Sequence, residues 1–159
     1  MHMTRKIEFV CVGKLREAFW REAFDEYAKR LAPYTTLTVT EVPERDPVAC
    51  EGQAVARMIE GRDILKAVGE RYAILLDIGG TERSSEDFSA HLGELAVGGT
   101  SEIVFVVGGP TGVDGAVRER ADETLSFGPI TLPHALARVV LAEQVYRAFK
   151  IMRGEPYHK

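Results

Sequence analysis

The last residues of the chain, Gly154-Glu155-Pro156-Tyr157-His158-Lys159, gather a phenol, an imidazole and a cation around a rigid proline. Tyrosine and histidine exchange protons and bind polar ligands, and lysine holds anions. Chain ends ordinarily fray unless something ties them down. Chemistry at a terminus therefore requires a partner surface, and this tail is expected to complete an active site. A second kind of chemistry comes from three glycine-containing turns: Leu76-Asp77-Ile78-Gly79-Gly80, Val107-Gly108-Gly109-Pro110-Thr111-Gly112, and Phe127-Gly128-Pro129-Ile130-Thr131-Leu132. Lacking a Cβ, glycine lets main-chain amides and carbonyls approach a ligand closely. Each turn alone is unremarkable, but three of them at strand ends point to a pocket built from backbone.

Those turns sit where alternating strands and helices would place them. Apolar runs at 7–12, 72–78 and 102–107 read as strands, with a Thr/Val-rich strand at 35–42 and a short one at 124–127. A helix over 15–31 is expected to present Phe19, Ala23, Tyr27 and Leu31 on one face. A second, over about 48–68, would turn Ala54, Met58, Leu65 and Val68 inward, with Gly61 weakening it. Ser84 and Ser85 cap a helix at 88–95, and 114–121 forms a short one. Near-continuous apolar strands separated by helices predict a single α/β domain over 1–159, with a mainly parallel sheet and helices on both faces. In such sheets ligands bind outside the carboxyl ends of the strands.

The run GGPTGVDG lacks the Gly-Lys-Ser/Thr ending of a triphosphate loop and the position of a dinucleotide fingerprint. Cys11, in an apolar strand, and Cys50 have no metal-like spacing, so no metal is expected. No apolar run approaches the ~20 residues of a membrane span. The N-terminal segment has no long apolar stretch, so the cytoplasm is the expected compartment.

The net charge of −4 argues against a nonspecific nucleic-acid coat, but it is unevenly spread. Residues 129–159 hold five Lys/Arg against two acids, while the remainder is acidic. The helix after Pro133 has an apolar side of Leu136, Ala137, Val140, Leu141, Ala142 and Val145, enough to pack on a second subunit as well as its own sheet. Arg138 lies near its start, where the helix dipole disfavours a cation, and a residue placed against local preference points to function. Glu143 and Arg147 have the spacing of a solvated i,i+4 pair. His134 has the place of a capping or packing residue.

The runs VVGGPTGVD, SFGPITLPHALARVVLAEQVYRAFKI and GEPYHK together resemble the large-subunit ribosomal RNA methyltransferase H family, a minimal branch of the SPOUT class. The resemblance extends over essentially the whole chain, from Val12-Gly13-Lys14-Leu15 through LLDIGG to the terminal YHK. It implies a C-terminal trefoil knot, a homodimer, S-adenosyl-L-methionine as methyl donor, and methylation at N3 of a pseudouridine in 23S rRNA of the assembled ribosome. By motif position, cofactor contacts carry over to Leu76, Gly108, Phe127, Gly128, Pro129, Ile130, Thr131 and Leu132. The family usually has Ser-Leu-Ser where this chain has Ser126-Phe127-Gly128, so a contact through the second serine hydroxyl is missing and main-chain contacts must serve. Removing the imide proton calls for a base or local positive charge, and Arg138, Tyr157 and His158 of a partner subunit are the expected catalytic groups. Other readings are methylation at another rRNA or tRNA position, or a noncatalytic ribosome-associated module.

Overall fold

The computed structural model describes residues 3–157. The elements run β1 (Lys6–Val12), α1 (Ala18–Leu31), β2 (Thr36–Val42), α2 (Gln53–Val68), β3 (Tyr72–Glu82), α3 (Ser85–Val97), β4 (Glu102–Val107), α4 (Gly115–Arg120), β5 (Glu123–Ser126) and α5 (His134–Met152). The strands pair in parallel in the order β2-β1-β4-β3-β5.

The apolar runs are continuous because the central strands are covered on both faces. Ile7, Phe9 and Cys11 of β1, with Ile103, Phe105 and Val107 of β4, meet α1, α3 and α5 through Phe24, Leu92 and Leu141. The alternate residues, Val10, Val12, Val104 and Val106, meet Ile64 and Val68 of α2 and Val117 of α4. One charge interrupts this pattern. Glu8 is 8% exposed, and Arg71, Thr38 and Thr40 all donate to its carboxylate.

Two helices begin later than their sequence periodicity predicts, although Ala23, Tyr27 and Leu31 of α1 and Leu65 and Val68 of α2 pack inward as expected. In α1 the buried residues are Phe24 and Leu31, with Trp20 and Tyr27 half-buried, so Phe19 is left 60% exposed. The Arg21 guanidinium donates to the carbonyls of Leu15 and Arg16, holding the preceding segment out of the helix. In α2 the buried face is Ala56, Glu60, Gly61, Ile64 and Val68, and Ala54 and Met58 are exposed. The cause is local: Asp46 Oδ1 accepts from the Val48 amide at 2.9 Å, and Glu51 sits at φ 59°. That left-handed residue stops the helix from starting before Gln53. Gly61 does not interrupt α2. Its missing side chain admits α4, since a Cβ there would lie 3.1 Å from Asp114 Cβ.

The main departure lies in β3, which does not end at Ile78. It loops out over 77–80 and rejoins β5, so that Leu125 pairs with Leu76 and again with Thr81. Ser126 Oγ donates to the Ile78 carbonyl at 2.9 Å and locks the loop down. A Cβ on Gly80 would stand 3.0 Å from Asp77 O, Leu125 N and Thr124 C, all main-chain atoms that cannot swing aside. Gly79 beside it has nothing within 4 Å. Gly80→Ala should therefore lower stability by about 1–3 kcal/mol, read as a fall in the urea midpoint, while Gly79→Ala should move it little.

Candidate active site

The carboxyl ends of β4, β3 and β5 lie side by side, and the three glycine-containing turns leave from them. Together they enclose a cleft of about 690 Å³. Its walls are apolar, from Leu76, Ile78, Val107, Val113, Leu125, Phe127, Ile130 and Leu132, and main chain enters at Gly108, Gly109, Gly112 and Gly128. Ile78 and Ile130 line it yet remain 54% and 72% exposed, apolar groups at an open mouth. Of the residues expected to contact a cofactor, Leu76, Gly108, Phe127, Gly128, Ile130, Thr131 and Leu132 line the cleft. Pro129, between Gly128 and Ile130, is exposed and does not line it.

Each turn is fixed from behind. The 108–112 turn closes through Gly112 N–H donating to Gly109 O at 3.1 Å, with Gly112 at φ 86°. It presses on the end of β1, because a Cβ on Gly109 would come within 2.9 Å of Val12 Cγ1. From α2, Arg57 donates to the Thr111 carbonyl, and the buried Glu60 accepts from the Arg45 amide at 2.8 Å. Burial pushes the Glu60 carboxyl above the ordinary carboxylate range. In the third turn Ser126 Oγ accepts from the Gly128 amide at 3.0 Å, and Gly128 sits at φ 100°. A serine would be strained there, so glycine matches the backbone this chain adopts.

Sequence reasoning did not single out the ionic pair in the cleft. Asp77 and Arg118 both line it and pair with one another. His134 and Ala137, from the first turn of α5, close the floor. The signal for Arg118 was its place in a short helix directly after the 108–112 turn, but only the sheet order brings that helix beside β3.

Arg138 and Tyr157 do not line the cleft of their own chain. Arg138 is 3% exposed, and its guanidinium is committed to Glu41 at 2.8 Å and to the Gly13 carbonyl at 3.1 Å. Near it, burial pushes the Cys11 thiol up to about 12. Tyr157 folds back along α5, where its hydroxyl donates to Glu143 Oε1 at 2.7 Å. The same oxygen accepts from Arg147 at 2.6 Å, and the Arg147 guanidinium lies 3.9 Å from the centre of the Tyr157 ring. Glu143 and Arg147 are thus the seat of the tail rather than a free surface pair. His158 lies outside the described residues. Among the described residues, no group of three His, Cys, Asp or Glu is arranged to hold a metal, and no helix is long and apolar enough to cross a membrane.

Residues 5–158 match the family described as "Predicted SPOUT methyltransferase". The ribosomal RNA large subunit methyltransferase H of Desulfitobacterium hafniense (strain DSM 10664 / DCB-2) is 48% identical, over 97% of this chain and 99% of that protein. Its counterpart in Listeria monocytogenes serovar 1/2a is 46% identical, over 96% and 99%. The chain belongs to the ribosomal RNA large subunit methyltransferase H family, within the SPOUT methyltransferases. Two solved structures share the fold at low identity. A probable methyltransferase from Bordetella pertussis Tohama I has a TM-score of 0.55 at 15% identity, over 92% of this chain and 97% of its own. A putative methylase family protein from Neisseria gonorrhoeae gives 0.51 at 13%, over 99% and 86%.

Family membership makes the α/β fold a knotted one. Residues 77–82 lie against β5 through the shifted pairing of Leu125 and the Ser126–Ile78 hydrogen bond. Membership also makes the chain a methyltransferase. The Tyr157 phenol, seated on Glu143, is pushed up to about 12, first by burial and then by its bond to the carboxylate. Its contribution to stability should be complete below about 10 and vanish as pH rises through about 12. The phenolate absorbance lost in Tyr157→Phe should accordingly titrate near 12, and titration near 10 would contradict the seat.

Proposed function

We propose that the chain transfers a methyl group from S-adenosyl-L-methionine to N3 of the pseudouridine at position 1915 of 23S rRNA, and that it does so as a homodimer on the assembled ribosome in the cytoplasm. The observation that carries this is a division of labour. One end of the sheet holds a backbone-lined apolar cleft, and the tail's polar groups sit elsewhere on the same chain.

The cleft suits the donor. Its volume and apolar walls accommodate an adenosyl group, and main chain at Gly108 and Gly128 can serve the polar edge of a base without side chains. The opposite charges of Asp77 and Arg118 complement a zwitterionic amino-acid group. Bound there, S-adenosyl-L-methionine supplies an electrophilic methyl carried on a sulfonium. The protein's part is then placement of the acceptor nitrogen in line with that methyl, and exclusion of water by Ile78 and Ile130.

The acceptor imide must give up its proton. Tyr157 stays protonated at neutral pH with its hydrogen on Glu143, leaving its oxygen to accept from the base, so we assign it to orienting the base and assign proton removal to His158. Arg147, stacked on Tyr157 and paired with Glu143, holds the phenol ring in place. Arg138 keeps a supporting part, tying α5 to the ends of β1 and β2 through Gly13 and Glu41. Tyr157 does not line the cleft of its own chain, which supports the reading that the tail serves the cleft of a second copy. The half-buried Leu136 and Val140 of α5 are apolar positions available to that contact.

Labelled methyl groups should pass to intact ribosomes and not to naked rRNA, with the product mapped to one pseudouridine. Gly108→Ala places a Cβ 2.8 Å from Val113 Cγ1 and should weaken donor binding roughly tenfold. Adding Val113→Ala should recover part of that loss. A Gly108→Ala chain mixed with one lacking residues 157–159 should regain up to about a quarter of full activity, since mixed dimers carry one intact cleft facing one intact tail. No recovery on mixing would place both parts of the site in the same copy.

A further inference from the structure

We propose that Tyr34 is a positioning residue for methyl transfer, tethering the C-terminal tail through Glu155 so that the residues beyond Pro156 leave in one direction. It rests on the reading that the tail completes a partner's cleft. Tyr34 lies between α1 and β2, 121 residues before Glu155. Its ring is packed edge-on against Tyr146 at 6.2 Å and tilted against Phe149 at 6.1 Å, so the aromatic body belongs to the core and the hydroxyl reaches its edge. There the hydroxyl donates to Glu155 Oε2 at 2.6 Å. Lys150 Nζ donates to the same oxygen at 2.9 Å, and the Arg153 guanidinium covers the Tyr34 ring at 4.6 Å.

The backbone agrees with this path. α5 ends with Gly154 at φ 64°, its amide donating to Ile151 O and the next amide, that of Glu155, donating to Lys150 O. This pair of bonds is the Schellman turn, which reverses the chain at a fixed angle. Glu155 is then tied to Tyr34, Pro156 stiffens the next link, and Tyr157 is tied to Glu143. Two anchors on either side of a proline leave the segment little freedom, where a free terminus would sample many directions. The burial of the ring and the task of the hydroxyl are separable. Phenylalanine at 34 keeps the packed ring and removes only the hydroxyl's hold on Glu155, leaving Lys150 in place, so fold stability should change little while tail placement suffers. Charge on Glu155 strengthens the bond, since carboxylates accept more strongly than neutral groups.

The experiment compares the full-length chain, Tyr34→Phe, Glu155→Ala, the double variant, and a chain ending at Pro156, all assayed on intact ribosomes with saturating donor. Tyr34→Phe should lower kcat about tenfold and leave donor Kd, dimer mass and urea midpoint unchanged. Its amide exchange at residues 155–157 should speed up. Glu155→Ala should give a similar loss, and the double variant should be no worse than the poorer single, as expected of two ends of one bond. If the chain ending at Pro156 matches the full-length chain in turnover, the reading of the tail falls. If that chain is inactive but Tyr34→Phe turns over normally, or the two single losses add, the tether is overturned while the tail reading stands.

Discussion

Main chain lies against main chain where the loop over 77–80 meets β5, and one wall of the cleft depends on that contact. Leu125 is paired with Leu76 before the loop and with Thr81 after it, and Gly80 is the point of closest approach. Contacts of this kind tolerate no side chain and little sliding, because both partners are fixed by their own hydrogen bonds. One wall of the cleft is therefore set by backbone geometry rather than by flexible side chains. The Ser126 hydroxyl extends the same constraint to both flanks, donating to Ile78 O and receiving the Gly128 amide.

A rigid backbone cleft is a good holder. Its charged groups, Asp77 and Arg118, are paired with each other, and apart from His134 the remaining walls are mostly apolar. Glu143, Arg147 and Tyr157 are organised separately, further along α5 and in the tail. Keeping them separate has a physical use. In the proposed dimer the cleft can remain apolar until the second copy's tail and the RNA bring the polar groups to it. Glu143 is central to the arrangement, since it seats both the phenol and the guanidinium. Loss of its carboxylate would free two side chains at once.

The sheet was legible because central strands covered on both faces read as short continuous apolar runs bounded by Gly and Pro. Periodicity failed in detail where side chains or unusual dihedrals intervened. Phe19 has the spacing of a core residue, yet the start of α1 is displaced by Arg21 bonding back to Leu15 and Arg16. Met58 likewise has helical spacing, but Glu51 and Gly52 delay α2 and Met58 is left exposed. Gly79-Gly80 looked like the end of a strand. Strand pairing resumes beyond it because β5 offers a free edge at that height, which local sequence cannot reveal.

The candidate site divides along the same line. Glycine positions, the apolar turns and the polar tail are chemical facts of the chain, and from them come the expectation of a main-chain pocket and the proposal that the tail serves it. Sequence also settled which strands carry those turns, since each turn follows an apolar run. Only tertiary structure decided that β4, β3 and β5 are neighbours, that Pro129 does not line the cleft, and that Arg138 is buried against Glu41 and Gly13. It also decided that Tyr157 sits on Glu143 and that Tyr34 reaches Glu155. The reason is one of range: spacing along a chain encodes contacts within a helix turn or a strand pleat. Partners 97 or 121 residues apart, as in Arg138–Glu41 and Tyr34–Glu155, meet only once the whole sheet has been ordered.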